Sequence, residues 1–246
     1  MKKLAFIVPA YRRYDLTRAC LRQLVRTCTA LGNEGIRATA VVVADDANLE
    51  TAEDLGFGTV RQVNQPLGRK WNDGIEYATR YLGCDYVVPF GTDNWIDPEL
   101  VKWLPPADAI MAHREVCIVH ESGERMVTLN VGYEGGDGIR CLPTELLEVL
   151  DFRPCDEDKQ RATDTSMRDR LKSRTGKALS FIYLDLHPMQ IVSFQSADQQ
   201  LNDYEDLKQS FGALEYKRPF ERLARVYSAQ ALQEVRDVFE RRMAVA

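Results

Sequence analysis

The chain of 246 residues has no C-x-x-C pair and no Cys/His cluster at zinc-ligand spacing, which argues against a zinc module or a dithiol redox site. Its six cysteines (Cys20, Cys28, Cys84, Cys117, Cys141, Cys155) are scattered over helices and strand starts, as expected of thiols in a reducing compartment. No stretch approaches the roughly 18 apolar residues of a membrane span. The opening MKKLAFIVPAYRR pairs two lysines with an apolar run. That run stops at Pro9, too short for a signal segment and without a small-residue cleavage site. A soluble, cytoplasmic chain is the expectation. Positive charge is not in excess either: the net charge is −5, so no global field draws the chain to nucleic acid or an anionic membrane, although a local patch could. Repeats and low-complexity segments are absent. So is G-x-G-x-x-G after the first apolar run, where Pro9-Ala10-Tyr11 stands instead, against a dinucleotide fold.

What is present is an alternation of short apolar runs and amphipathic stretches. Hydrophobic and charged contents of 45% and 28% are those of an ordinary globular enzyme with a substantial core. Residues 4–8 read as a β-run stopped by Pro9, and residues 14–30 as a helix with Leu16, Cys20, Leu21, Leu24 and Cys28 on one stripe. Residues 38–44 are wholly apolar, the mark of a strand buried on both faces, and end at Asp45 and Asp46. A short strand over 59–63, a helix over 69–81 and a strand over 86–90 follow. Asp97-Pro98 then offers an N-cap and a first-turn proline. This alternation predicts a mostly parallel, Rossmann-like sheet flanked by helices.

The segment NQPLGRKWNDGIEYATRYLGCDYVVPFGTDNWIDPEL, residues 64–100, is the most informative. Its buried strand empties into a Gly-Thr-Asp-Asn tip and delivers Asp93 to the carboxyl edge of the sheet, where open α/β sheets bind ligands. A carboxylate there, with Arg69 and Lys70 one helix earlier, suits a metal-bound diphosphate. After Pro105-Pro106 the pattern changes to shorter strands, a glycine-rich loop over 132–138, a helix over 143–150 and another over 163–174. From 204 onward the chain is charged and helical, predicting a C-terminal helical appendage over 201–246 on a domain of residues 1–200.

Several motifs resemble, in order, those of family 2 glycosyltransferases, nucleotide-sugar enzymes of the GT-A fold. The opening IVPAYRRYDLTRACLRQL looks like their first strand and helix, and VVVADDAN like the second strand with its paired aspartates. PLGRKWNDGIEYA is similar to their Asn-x-Gly helix. YVVPFGTDNWIDPEL resembles the strand carrying the metal-binding D-x-D, with Gly91 in place of the first aspartate and Asn94 in place of a further acid. GIRCLPTELLEVLDF and TDTSMRDRL are similar to the acceptor-side helix and the E-D-x-x-L-x-x-R-L motif, with Thr163 for the glutamate. The resemblance runs from about Lys3 to about Val192 and implies a mixed GT-A sheet, with residues 1–104 holding the donor and 105–200 the acceptor.

By that resemblance Asp45 and Asp46 contact the base or ribose of the donor, with Pro9 and Tyr11 flanking the base and Arg69, Lys70 and Asn72 on the donor side. On residue type alone the aspartates equally solvate a strand end and start a turn. Asp93, and by resemblance His187, are the metal ligands, for Mn²⁺ or Mg²⁺; an Asx-turn and a structural histidine are the plainer readings. His113 and His120 read as structural. Asp164 matches the family's catalytic base and is also a good helix-start residue. The acceptor side comprises Tyr133, Gly135, Gly136, Arg168 and Arg170. Residues 159–177 hold seven Lys/Arg against two Asp, a solvated face or the mark of an anionic acceptor.

The implied activity is inverting glycosyl transfer from a nucleotide sugar, with Asp164 taking the proton of an acceptor hydroxyl. Glycan acceptors are the family's commonest. Hydroxymethylated DNA bases, modified by phage-type transferases in the host cytoplasm, are another case. A nucleotidyltransferase and a non-catalytic nucleotide-sugar-binding protein are the alternatives. The first would be expected to carry a glycine-rich basic loop after the first strand, which is not there.

Overall fold

The computed structural model describes residues 1–113, 115–130, 140–160, 163–175, 180–184, 188–195, 204–210 and 213–244. The chain runs β1 (Lys2–Pro9), α1 (Tyr14–Asn33), β2 (Ile36–Ala44), α2 (Asn48–Asp54), β3 (Gly58–Arg61), α3 (Leu67–Arg80), β4 (Tyr86–Pro89) and β5 (Asn94–Ile96). It continues through α4 (Pro98–Val101), β6 (Ala109–His113), β7 (Glu115–Val119), β8 (Arg125–Asn130) and β9 (Arg140–Pro143). Then come α5 (Thr144–Leu147), α6 (Thr163–Thr175), β10 (Ser180–Leu184), β11 (Ile191–Phe194), α7 (Tyr204–Ser210), β12 (Glu215–Lys217), α8 (Pro219–Leu223) and α9 (Ala229–Met243).

The architecture is the expected mixed α/β sheet flanked by helices. Seven strands form the main sheet in the order β10-β6-β9-β4-β1-β2-β3. β1 pairs in parallel with β2 on one side and β4 on the other, and β2 with β3. β9 is antiparallel to both β4 and β6. Consecutive strands therefore step outward from β1 in opposite directions, and the crevice between the ends of β1 and β4 is the topological switch point.

Strand alternation explains the layering. Leu4, Phe6 and Val8 of β1 face Leu21, Leu24 and Leu31 of α1 in one buried cluster. Ala5 and Ile7 face Ile75 and Ala78 of α3, with Met167 and Leu171 of α6, in another. Gly74 lets α3 lie this close: a Cβ there would come within 2.5 Å of Ile7 Cγ2 and 2.9 Å of Val43 Cγ2.

A second sheet of five strands, β12-β8-β7-β11-β5, was not anticipated as a separate layer. Its short strands, antiparallel apart from the β7–β11 pair, carry little periodic signal. Its core joins Trp95, Val119 and Phe194 to Leu16 and Cys20 of α1 and to Phe220, Leu223, Val235 and Phe239 near the C-terminus. Residues from Tyr204 on include the edge strand β12 and pack α9 on α1, where Arg26 Nη2 meets Glu234 Oε1 at 2.7 Å. The apolar stripe of α9 was hidden by its interleaved Arg and Glu. Among the described residues no helix is long and apolar enough to cross a membrane.

Candidate active site at the carboxyl edge of the main sheet

Three loops meet where β1, β2 and β4 end. The loop after β1 is held in an unusual conformation: Arg12 and Arg13 both have positive φ, 53° and 47°, sparsely populated for residues with a Cβ and costing about 1–3 kcal/mol each. The neighbouring loop supplies the restraint. Arg12 N–H donates to Asp46 Oδ2 at 2.9 Å, and Asn48 Nδ2 donates to Arg12 O at 3.1 Å and to Asp46 Oδ1 at 2.8 Å. Asn48 N–H also reaches Asp46 Oδ1, at 3.0 Å. From the other side the buried Lys70 donates from Nζ to Ala10 O at 2.6 Å and, more weakly, to Asn64 Oδ1 at 3.4 Å. Burial pulls the Lys70 pKa down to about 8, against the opposing pull of the Asp45 and Asp46 carboxylates.

This conformation aims Arg13 across the switch-point crevice. Its Nη1 lies 3.0 Å from Asp93 Oδ2 and its Nη2 donates to Thr92 Oγ1 at 2.8 Å. Asp93 and Thr92 are buried, and Phe194 N–H holds the Asp93 backbone by donating to its carbonyl at 2.8 Å. With its amide turned to satisfy its surroundings, Asn94 donates to Asp93 Oδ1 and Ser193 Oγ, each at 3.2 Å. Gly91 leaves the room: a Cβ there would come 2.7 Å from Asp93 Oδ1.

The two aspartates after β2 therefore differ. Asp46 is occupied with the β1 loop, whereas Asp45 is exposed: its backbone carbonyl accepts from Arg61 Nη1 at 3.5 Å, and its carboxylate has no hydrogen-bond partner among the described residues. Tyr11 is exposed with the Arg12 guanidinium 4.9 Å over its ring, and Pro9 is half-buried beside it. The sequence drew attention to Asp45, Asp46, Tyr11, Lys70 and Asp93, and the fold brings them to one edge. It gave no signal for Arg13, Asn48 or Thr92.

Several other expected residues have partners of their own. Asn72 is fully buried, donating from Nδ2 to Cys155 O at 2.9 Å and accepting from Cys155 N–H at 2.8 Å. Arg170 Nη1 donates to the same carbonyl at 2.8 Å. Gly68 N–H donates to Lys159 O at 2.8 Å and Leu67 N–H to Gln160 Oε1 at 2.9 Å. A Cβ on Gly68 would overlap the Asp156 carbonyl oxygen. The start of α3, expected to offer amides to a phosphate, is thus closed by residues 156–160, and this lock ties α3 to the segment leading into α6. Arg69 is half-buried and acts on Glu157, helping to lower its pKa after Arg153 and Asn72. Arg168 pairs with Asp169 at 2.9 Å. Asp164 is the second residue of α6, in its first turn. His187, Tyr133, Gly135 and Gly136 lie outside the described residues. His113 is buried, its pKa pulled down to about 4 by burial, and His120 Nδ1 accepts from Ser122 N–H at 3.1 Å, both in structural settings.

No protein-family model matches the chain, and no curated protein matches it by sequence. Solved structures do. A Drosophila β-1,4-galactosyltransferase 7 mutant in complex with manganese, UDP-Gal and xylobiose superposes over 85% of this chain and 80% of its own, at 11% identity and a TM-score of 0.55. The fold is that of the GT-A glycosyltransferases. Staphylococcus aureus TarS in complex with UDP shares the GT-A fold over 80% of this chain at 15% identity and a TM-score of 0.53. The chain spans about three-fifths of that TarS chain, 61%. At these identities the likeness is one of fold.

The described residues do not by themselves make a GT-A divalent-ion site. Asp93 already accepts from Arg13 on one oxygen and stands beside Asn94 on the other. Among the described residues no group of three or more His, Cys, Asp or Glu is placed to share an ion. A lone carboxylate paired with a guanidinium offers a hard dication neither the charge nor the oxygens it needs.

Proposed function

We propose that the chain transfers a sugar from a nucleotide-sugar donor to an acceptor hydroxyl, inverting the anomeric centre. The observation that carries this reading is the convergence, at the switch point of a GT-A sheet, of an exposed Asp45 and Tyr11 with the cations Arg13 and Lys70. Tyr11 and Pro9 offer faces to a base, and Asp45 an acceptor for base N–H or ribose hydroxyl groups. The cations meet the diphosphate. The neighbours with UDP and UDP-Gal bound are consistent with such a donor.

The lock between α3 and residues 155–160, the segment leading into α6, supports a place for the start of α6 near this edge. Asp164 there is the proposed base. It takes the acceptor proton while the acceptor oxygen bonds the anomeric carbon from the face opposite the diphosphate. The bond to the donor oxygen breaks, and its electron pair leaves with the nucleoside diphosphate. Base catalysis contributes roughly 10²–10⁴-fold, leaving the larger share to orientation and leaving-group stabilisation. The manganese of the galactosyltransferase complex makes Mn²⁺ or Mg²⁺ the first addition to test. The acceptor is a hydroxyl of a glycan or of a modified DNA base. The seven Lys/Arg against two Asp over residues 159–177 leave room for a polyanion.

A panel of nucleotide sugars, screened by thermal stabilisation, identifies the donor. Asp164→Asn should then keep fold and donor binding but lose transfer by roughly 10²-fold or more. Transfer at the wild-type rate, or a product with retained stereochemistry, would refute the scheme. Pyrophosphate release from a nucleoside triphosphate would mark a nucleotidyltransferase instead.

A further inference from the structure

We infer that Arg13 occupies the place of a dication in this site, so that the nucleoside diphosphate is held and released with no metal ion on Asp93. The inference rests on the donor-binding reading above and makes it specific. Asp93 is not left open for an ion. Oδ2 accepts from Arg13 Nη1 at 3.0 Å, and Asn94 stands 3.2 Å from Oδ1. The guanidinium is also fixed from behind, through Thr92 Oγ1 and through a backbone that two left-handed residues hold in place. Asp46 and Asn48 maintain that backbone. Thr17 N–H, 2.9 Å from Arg13 O, starts α1 on it.

This geometry suits an anion. A guanidinium carries five N–H donors in a rigid fork that matches phosphate oxygens. Asp93 and Thr92 engage two of them, and among the described residues the rest have no partner and can meet a ligand in the crevice. Asp93 then orients the fork, with Arg13 as the residue that touches the diphosphate. Its positive charge neutralises the charge that develops as the sugar–oxygen bond breaks. Lys70 adds a second cation from beneath Ala10. Gly91, where a larger residue would collide with Asp93 Oδ1, keeps the carboxylate turned toward Arg13.

The test is calorimetric titration of UDP, GDP, ADP, CDP and dTDP in excess EDTA and again in Mn²⁺. The diphosphate that binds should do so with similar affinity in both. Arg13→Gln should weaken it roughly 10- to 100-fold in EDTA, the scale of charge-assisted hydrogen bonds to phosphate. Should Arg13→Gln fail to fold, Arg13→Lys decides: a point charge cannot bridge Asp93, Thr92 and phosphate together, so affinity should fall by about tenfold. Wild-type binding that vanishes in EDTA and returns with Mn²⁺ overturns the inference while leaving the donor reading standing. Binding indifferent to both Arg13 variants overturns it equally. No diphosphate bound in either buffer refutes the donor reading, and the inference with it.

Discussion

The seven-stranded and five-stranded sheets each bury an extensive apolar cluster, yet the candidate chemistry gathers at an edge of the first. Strand direction accounts for the difference. β1, β2 and β4 run parallel, so the loops that follow them open on the same side, and polar residues placed just after each apolar run converge. In the smaller sheet β7 and β11 run parallel, but β8 runs antiparallel to β7 and β12, and β5 to β11, so its loops leave at both ends. Its contribution is support. β11 pairs Ser193 with Asn94, and Phe194 N–H holds the Asp93 carbonyl, so the packed second core sets the height of the Asp93 tip. Parallel ends assemble a site, and antiparallel neighbours stiffen it.

The largest expected effect tests the supporting role. Phe239 is buried on α9 against Phe194 and Phe220. Phe239→Ala should cost about 3–5 kcal/mol of stability by leaving a cavity, measured by urea unfolding. The folded fraction should keep its donor affinity to within a few-fold. A donor site lost at unchanged stability would break the comparison, since the C-terminal helices would then belong to the site itself.

A smaller effect separates the two aspartates that end β2. Asp46→Ala removes a carboxylate that accepts from Arg12 and Asn48 and releases the left-handed loop. Stability should fall by about 1.5–3 kcal/mol, the scale of a hydrogen bond to a charged group, with donor affinity falling too. Asp45→Ala, at an exposed residue, should leave the melting temperature alone and raise KM for the donor only. Equal melting temperatures for both variants would show that Asp46 is not the brace drawn here.

Much of the main sheet was legible in the sequence because its strands are buried on both faces and read as unbroken apolar runs. Residues 38–44 and β2 nearly coincide, and Asp97 caps α4 through Glu99 N–H as its type predicts. β5, β9 and β12 were not legible. Each has three or four residues, and β9 hides Arg140 among buried neighbours. Composition singled out the acids of the site but not the partners that define their roles. Nothing in YRRYD distinguishes Arg13 from Arg12; the distinction lies in backbone angles that neighbouring loops impose. Asn72 and Gly68 were visible as a motif, and their purpose, locking α3 to residues 155–160, required knowing which segment comes to lie on that helix.

The smallest expected effect is a pH dependence at Lys70. Its ammonium is buried under the β1 loop, donating to Ala10 O, and burial lowers its pKa from 10.5 to about 8. Below about pH 8 folded and unfolded chains are both protonated there, and the native state bears the full cost of a buried charge. Between about 8 and 10.5 the folded chain has lost the proton while the unfolded chain keeps it. The unfolded state then binds more protons, so this residue's contribution to stability rises with pH across that window. On the proposed reading anion binding moves the opposite way, because the positive charge beneath the β1 loop disappears as pH passes 8. Lys70→Met removes both effects while keeping an apolar stem. Urea unfolding of the two proteins from pH 7 to 10 should show wild-type stability gaining on the variant as pH rises. Nucleoside diphosphate affinity should decline only in the wild type. Parallel stability curves would mean that burial does not lower the Lys70 pKa as drawn here.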